Sequence, residues 1–245
     1  MKQAIAAMLL GILLLAGLTA QQDPLIAVTE IWPPYRIEAG DGRMTGIDIE
    51  LLEALEERLG VEIEVQRHPF ARALEMIRTG EADIITGIAY TPERDEYIAY
   101  SSESYSSVRP VFYAGRDLAP QIRSYEDLYG YVIGYSLNSA YFEPFNSDEN
   151  LTKQGLSTET QVLRMLELGR VDVIIGTNPN LAYDVARLGL DDALSQTSYT
   201  PEPNTPLFLG FPETGDRLEL YAQANTLLSA MLADGSIREI LDRYR

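Results

Sequence analysis

One histidine, His68, and no cysteine in 245 residues leave almost no material for a zinc site or a histidine-based triad. Disulfides, thiol chemistry and a lipid-anchored cysteine are excluded by the same count. Carboxylates, guanidinium groups, hydroxyls and backbone amides remain to do chemistry. Thr86 and Gly87 end a strand-like run, Ala82 to Thr86, where a backbone carbonyl or the Thr86 hydroxyl can meet an amine. Thr177 holds the corresponding place after a second run, Val171 to Ile175. Ser139 and Ala140 follow a third run, Tyr131 to Tyr135, and precede what reads as a helix. Their N–H groups would then face an anion at a helix N-terminus, a role compatible with a plain N-cap serine. Glu30, Arg72 and Glu143 are the charged residues that fall near these points. A carboxyl group among them would suit general acid chemistry in a cleft; otherwise they form surface ion pairs.

The elements that must carry these residues alternate along the chain. Leu25 to Thr29 reads as a buried strand. Ile47, Leu51, Leu52, Leu55 and Leu59 fall at helical spacing before a stop at Gly60. Val61, Ile63 and Val65 alternate as a strand, and Phe70 to Thr79 reads as a helix. Thr158 to Leu168 reads as another, opened by a Thr158–Gln161 capping box. This alternation predicts an α/β fold with largely parallel sheets. Within it, MIRTGEADIITG (Met76 to Gly87) and MLELGRVDVIIG (Met165 to Gly176) match in register at Met, Gly, Asp, Ile and Gly. The echo predicts two similar lobes, each ending a strand on a glycine where backbone approaches a ligand, with both strand ends delivered to a shared cleft.

Lys2 precedes an apolar run from Ala4 to Leu18 that ends in Thr19 and Ala20, the pattern of a secretory signal peptide cleaved after Ala20. A spanning helix needs about 20 apolar residues, more than this run offers. Acidic residues outnumber basic ones 37 to 19, for a net charge of -18, so nucleic acid and anionic lipid are poor partners. Lys153 is the only lysine after the leader, a composition that also fits a saline habitat.

WPPY (Trp32 to Tyr35), GRMTGIDIELLEALEERLG (Gly42 to Gly60), LEMIRTGEADIITG (Leu74 to Gly87), TPER (Thr91 to Arg94), SYEDLYGYVIGY (Ser124 to Tyr135), LELGRVDVIIG and the terminal ADGSIREILDRY stand in an informative order and spacing. Through them nearly the whole mature chain resembles the type 2 periplasmic binding proteins, specifically the polar-amino-acid solute-binding family of ABC transporters. The resemblance implies a two-lobed α/β clamp, each lobe a mostly parallel sheet flanked by helices. After the leader read at 1–20, it also implies one lobe from 21–107 plus 203–245, the other from 108–202, and crossings near Ser106 to Arg109 and Tyr199 to Pro206.

For the site, the resemblance implies that Arg94 clamps the ligand's carboxylate, for which a guanidinium's planar fork of donors is suited. It implies that Trp32 and Phe70 sandwich the ligand, with Tyr35 beside them and Trp32 held in an extended loop by the prolines that follow. Ser139 and Ala140 would supply the second lobe's hold on the carboxylate, and Thr86 and Gly87 contacts to an amine. The chain departs from the family at Thr177, where members that bind α-amino acids commonly carry an aspartate, and at Ala89, where many carry a hydroxyl. A hydroxyl cannot neutralise a buried cation. Either the ammonium is met elsewhere, for example by Glu30 or a tyrosine face, or the ligand has none. Tyr135, Tyr141 and Tyr183 would suit an aromatic or heterocyclic ligand.

The expected function is capture of a small carboxylate-bearing solute, an amino acid or relative, in the periplasm for ABC-type uptake. The protein is expected to be a monomer without cofactor or metal, its partners the ligand and an inner-membrane permease or sensor. The alternatives are a sensory binding protein for a chemoreceptor or sensor kinase, and an enzyme of the dehydratase type on the same fold.

Overall fold

A computed structural model describes residues 23–244, so the expected leader lies outside the described residues. Strands β1 (Leu25–Thr29), β4 (Ile63–Arg67) and β5 (Ile84–Ile88) form a parallel set in the order β4-β1-β5. Strands β8 (Val132–Ser136), β9 (Thr152–Leu156) and β10 (Val173–Asn178) form a second parallel set, β10-β8-β9. Two long strands link them. Strand β7 (Ser106–Gly115) runs antiparallel to β10 over Arg109 to Ala114, and β12 (Thr205–Pro212) runs antiparallel to β5 and to β6 (Ile98–Tyr100). Between those stretches Ser106, Ser107 and Val108 of β7 pair with Leu207, Pro206 and Thr205 of β12. A short hairpin of β2 (Ile37–Glu38) and β3 (Met44–Thr45) and an edge strand β11 (Leu194–Gln196) complete the sheets.

Alternate strand residues point to opposite sides, so both faces of each set are covered, by helices on the first set and by helices and turns on the second. Leu25 and Ala27 join Leu51, Leu52 and Leu55 of α1 (Ile47–Leu59) with Leu228 and Met231 of α5 (Leu218–Asp234) and Ile237 of α6 (Ser236–Asp242). On the other face, Val28, Ile85 and Ile88 pack on Ala73 and Ile77 of α2 (Phe70–Thr79). The second sheet repeats the plan. Phe112, Val173 and Ile175 meet Phe142 and Phe145 on one side, while Val111 and Ile174 meet Leu163 of α3 (Glu159–Glu167) and Leu181 and Val185 of α4 (Asn180–Arg187) on the other.

The internal echo is a structural device. Asp83 donates its N–H to the Ile26 carbonyl at 2.8 Å and accepts the Ile26 N–H on its carboxylate at 2.8 Å. Asp172 does the same to Val132, at 2.9 and 2.8 Å. Each echoed aspartate thus pins the start of the neighbouring parallel strand. For the same reason β5 and β10 begin one residue after these aspartates, two residues later than the hydrophobic runs predict. The helix stop at Gly60 is found, with the residue left-handed at φ 71° and its N–H bonded to the Glu56 carbonyl. Thr158 caps α3 through the Gln161 N–H at 3.2 Å, but the Gln161 amide oxygen returns to the Ser157 N–H, one residue earlier than a capping box requires.

Candidate ligand-binding site

A cavity of about 590 Å³ lies where the carboxyl ends of β1, β5, β8 and β10 meet, large enough for one small molecule. Glu30, Trp32, Phe70, Gly87, Arg94, Ser139, Ala140 and Thr177 line it, as do Ala89, Tyr141 and Tyr183. Tyr35 and Thr86 do not, and neither do Tyr135, Arg72 or Glu143. Tyr35 is buried behind Trp32, their rings stacked at 4.9 Å, and its hydroxyl bonds Ser106 of β7 at 2.8 Å. Thr86 serves a protein cation: Arg36 Nη1 donates to its carbonyl at 3.0 Å and to its hydroxyl at 3.1 Å. Arg72 pairs with Glu81 at 2.5 Å on the surface, and Glu143 accepts from the Ser147 hydroxyl.

Trp32 lies in a tight turn rather than an open extended loop, because Trp32 and Arg36 exchange backbone hydrogen bonds at 2.9 and 3.0 Å. The turn folds the Arg36 guanidinium over the indole ring at 4.9 Å. Arg36 also donates to Asp48 at 2.8 Å, and Asp48, fully buried, accepts a second bond from the Tyr105 hydroxyl at 2.7 Å. Gly87 adopts φ 64°, and a Cβ there would meet Arg36 Nη1 at 2.7 Å, so the glycine makes room for arginine rather than for a ligand. Gly176 likewise makes room for Leu181, whose Cδ2 would stand 2.9 Å from its Cβ, and it does not line the cavity.

Arg94 is 5% exposed and bends inward from a 3-10 turn, Arg94–Glu96. Its Nη1 donates to the Ala89 carbonyl at 2.8 Å, its Nη2 to the Asn138 carbonyl of the facing lobe, and its guanidinium lies 5.3 Å over the Phe70 ring. No carboxylate pairs with it among the described residues. Burial accordingly pushes its pKa down.

No helix follows β8. The chain turns through Asn138, left-handed at φ 61°, and Ser139 donates its N–H to the Ser136 carbonyl at 3.2 Å. Pro144 lacks an N–H and restricts Glu143 before it, which keeps this stretch in turns. Ser139 and Ala140 therefore reach the cavity from a turn, and the anion site expected at a helix start is not built there.

Thr177 also differs from its expected role. Its hydroxyl donates to Asn180 Oδ1 at 3.2 Å, and Asn180, fully buried, extends Nδ2 to the Pro33 carbonyl at 2.6 Å. Thr177 thus orients an amide that bridges the two lobes beside Trp32.

Six cavity residues carry charge that sequence reasoning left out: Arg36, Glu38, Arg67, Glu159, Asp184 and Arg187. Asp184 lies one turn after Asn180 on α4 and accepts both Arg187 Nε at 3.0 Å and Nη2 at 2.9 Å. Glu159 opens α3 and is half-buried; its pKa is pushed up to about 7 by burial and by the nearby charges of Asp184 and Glu30, with hydrogen bonding from Trp32 and the charge of Arg36 opposing. Glu30 accepts the Phe70 N–H at 3.2 Å, and burial raises its pKa despite Arg36 and Arg67. The polar face of α4, Asn180 and Asp184 at i and i+4, was a readable signal; Glu159 was hidden by its place in the capping pattern.

Two sheets hinged on paired strands, with a charged, aromatic-lined cavity between them, define a two-lobed clamp for a small solute. The chain belongs to the family described as bacterial extracellular solute-binding proteins, family 3, which it matches over residues 25–245. It is 24% identical over 241 residues to ABC transporter arginine-binding protein 1 of Escherichia coli (strain K12), covering 93% of each chain. An ancestral arginine-binding protein bound to arginine shares the fold at TM-score 0.80 and 21% identity, over 91% of this chain and 99% of that one. A histidine kinase sensor domain with similarity to periplasmic binding proteins does so at TM-score 0.80 and 19% identity, over 92% and 97%. No described helix is long and apolar enough to cross a membrane.

Proposed function

We propose that this chain is an exported periplasmic solute-binding protein that holds a small amino-acid-like solute by its carboxylate and delivers it to an ABC-type permease. Arg94 carries the reading: a buried guanidinium, facing the cavity and lacking a carboxylate partner among the described residues, calls for an anion from outside the chain. Its planar fork suits a carboxylate, and Phe70 and Trp32 supply apolar faces beside it. In this reading residues 1–20 are a cleaved leader, 21–107 with 203–245 form one lobe, and 108–202 form the other. The lobes close on the Ser106–Val108 and Thr205–Leu207 pair, and contacts from both sides of the cleft favour the closed form. The arginine-binding relative supports an amino acid as the ligand class.

A thermal-shift screen of the mature protein against amino acids, their deaminated acids and heterocyclic carboxylates identifies the ligand by mass action. With it, Arg94→Ala lowers affinity by at least about 100-fold in calorimetry, since a buried charge-assisted pair is lost. Lys153→Ala, whose ammonium is held by the Phe145 and Asn146 carbonyls away from the cavity, leaves affinity unchanged. Equal affinity in the Arg94 variant sinks the assignment. The shared fold of the histidine kinase sensor domain favours a second reading, in which the closed form reports to a sensor. Loss of radiolabelled solute uptake on deletion separates transport from sensing.

A further inference from the structure

Charge in the cavity is only partly settled from within. Arg36, Arg67 and Arg187 are answered by Asp48, Glu38 and Asp184. Glu30 and Glu159 have no ion-pair partner among the described residues, and they reach the cavity from opposite lobes, Glu30 from the end of β1 and Glu159 from the start of α3. Trp32 lines the same cavity, two residues after Glu30. At the other side of Glu30 lie Phe70 and, over its ring, Arg94. The cavity thus runs from an unanswered cation, along aromatic faces, to two unanswered carboxylates.

We propose that Glu159, facing Glu30 across the cleft, receives a cationic side chain of the ligand and sets its class: an amino acid ending in a guanidinium or ammonium group. The assignment rests on the carboxylate reading of Arg94. Closure brings the two carboxylates together, and like charges in a partly desolvated space repel. A ligand cation between them removes that cost and so favours the closed form over the open one. Thr177 does not compete for the role, because its hydroxyl is spent on Asn180. The charged groups around Glu159 are Asp184 with its partner Arg187 on α4, Glu30 after β1 and Arg36 from the Trp32 turn; together with burial they hold its pKa at about 7. Ionised Glu159 is the form that meets a cation. Cation affinity therefore rises with pH through about 7, and below that a proton must leave on binding.

Calorimetry with L-arginine, L-lysine, L-citrulline and agmatine tests both ends of the cavity. Citrulline keeps arginine's shape without its charge, and agmatine keeps the charge without the carboxylate. Wild-type protein is expected to prefer arginine or lysine over citrulline by about tenfold or more, the worth of a hydrogen-bonded charge. Glu159→Gln brings that preference to within about threefold of unity. Should the variant fold poorly, the wild type decides: arginine affinity climbs between pH 6 and 8 while citrulline affinity stays flat. Equal binding of arginine and citrulline, no binding of any cation, or an unchanged preference in the variant together with a flat pH profile overturns the proposal. Agmatine binding as tightly as arginine would instead overturn the Arg94 reading and leave Glu159 standing.

Discussion

The strand ends after the echoed segments, Gly87 to Ala89 and Gly176 to Asn178, hold corresponding places in the two sheets and differ in backbone and in what they hold. The first is built around cations: Arg36 fills the space at Gly87, and Arg94 hangs from the Ala89 carbonyl. The second is neutral and acidic: Thr177 steadies Asn180, and Asp184 and Glu159 line the cavity beyond. Upstream, the halves behave alike, since Asp83 and Asp172 pin their neighbouring strands with the same pair of bonds. The repeat therefore supplies geometry, and the copies diverge where they line the cavity. A clamp gains from this division, because strand ends that present different groups can engage different parts of one ligand.

Breaking the cationic side at its base has the largest expected effect. Asp48→Ala leaves Arg36 buried without a counter-charge and removes the acceptor of the Tyr105 hydroxyl. Loss of one member of a buried pair costs about 4 kcal/mol. Thermal and urea unfolding would register it, and no comparable residue on the second lobe's strand end should match it. A loss below about 1 kcal/mol would mean that Arg36 is solvated in solution, contrary to its 6% exposure.

The sequence made the shared part of the comparison readable and concealed much of the divergent part. Helix α2 was legible to the residue, Phe70 to Thr79, and so were β1 and the Gly60 stop, because periodicity and glycine conformation are local properties. Arg94, Phe70, Trp32 and Glu30, all singled out from sequence, line the cavity. Tyr35 and Thr86 did not, because each meets a partner distant in sequence: Ser106 for one, Arg36 for the other. The helix expected after Ser139 failed for a local reason that Pro144 already signalled. The Arg36–Asp48 pair joins a turn to a helix across a strand hairpin, a contact that no periodicity encodes.

The echoed aspartates test whether the copies are equal even where they look alike. Asp83 also accepts the Tyr221 hydroxyl at 2.9 Å and faces Arg217 at 3.4 Å, so it ties α5 to the sheet as well as pinning Ile26. Asp172 is exposed and pins Val132 alone among the bonds described. Asp83→Ala removes the acceptor of three donors, Ile26 N–H, the Tyr221 hydroxyl and Arg217, and costs about 3 kcal/mol, whereas Asp172→Ala leaves one donor near water and costs about 1 kcal/mol. Equal losses in denaturant unfolding would show that strand pinning dominates and that the tie to α5 adds nothing.

The finest distinction lies at the echoed glycines themselves. Gly87→Ala demands a left-handed alanine and pushes its Cβ onto a guanidinium fixed by Asp48, so neither backbone nor neighbour can yield cheaply. Gly176→Ala needs no unusual backbone, and the atom it meets is the end of a leucine that has other rotamers. Expected costs are about 2 and about 1 kcal/mol, overpacking being the main term in the second. Affinity separates them further: the first displaces Arg36 at the cavity wall, whereas the second lies behind α4, away from it. If Gly176→Ala weakened ligand binding as much as Gly87→Ala, the second glycine would be serving the ligand after all, and the echo would extend from scaffold into recognition.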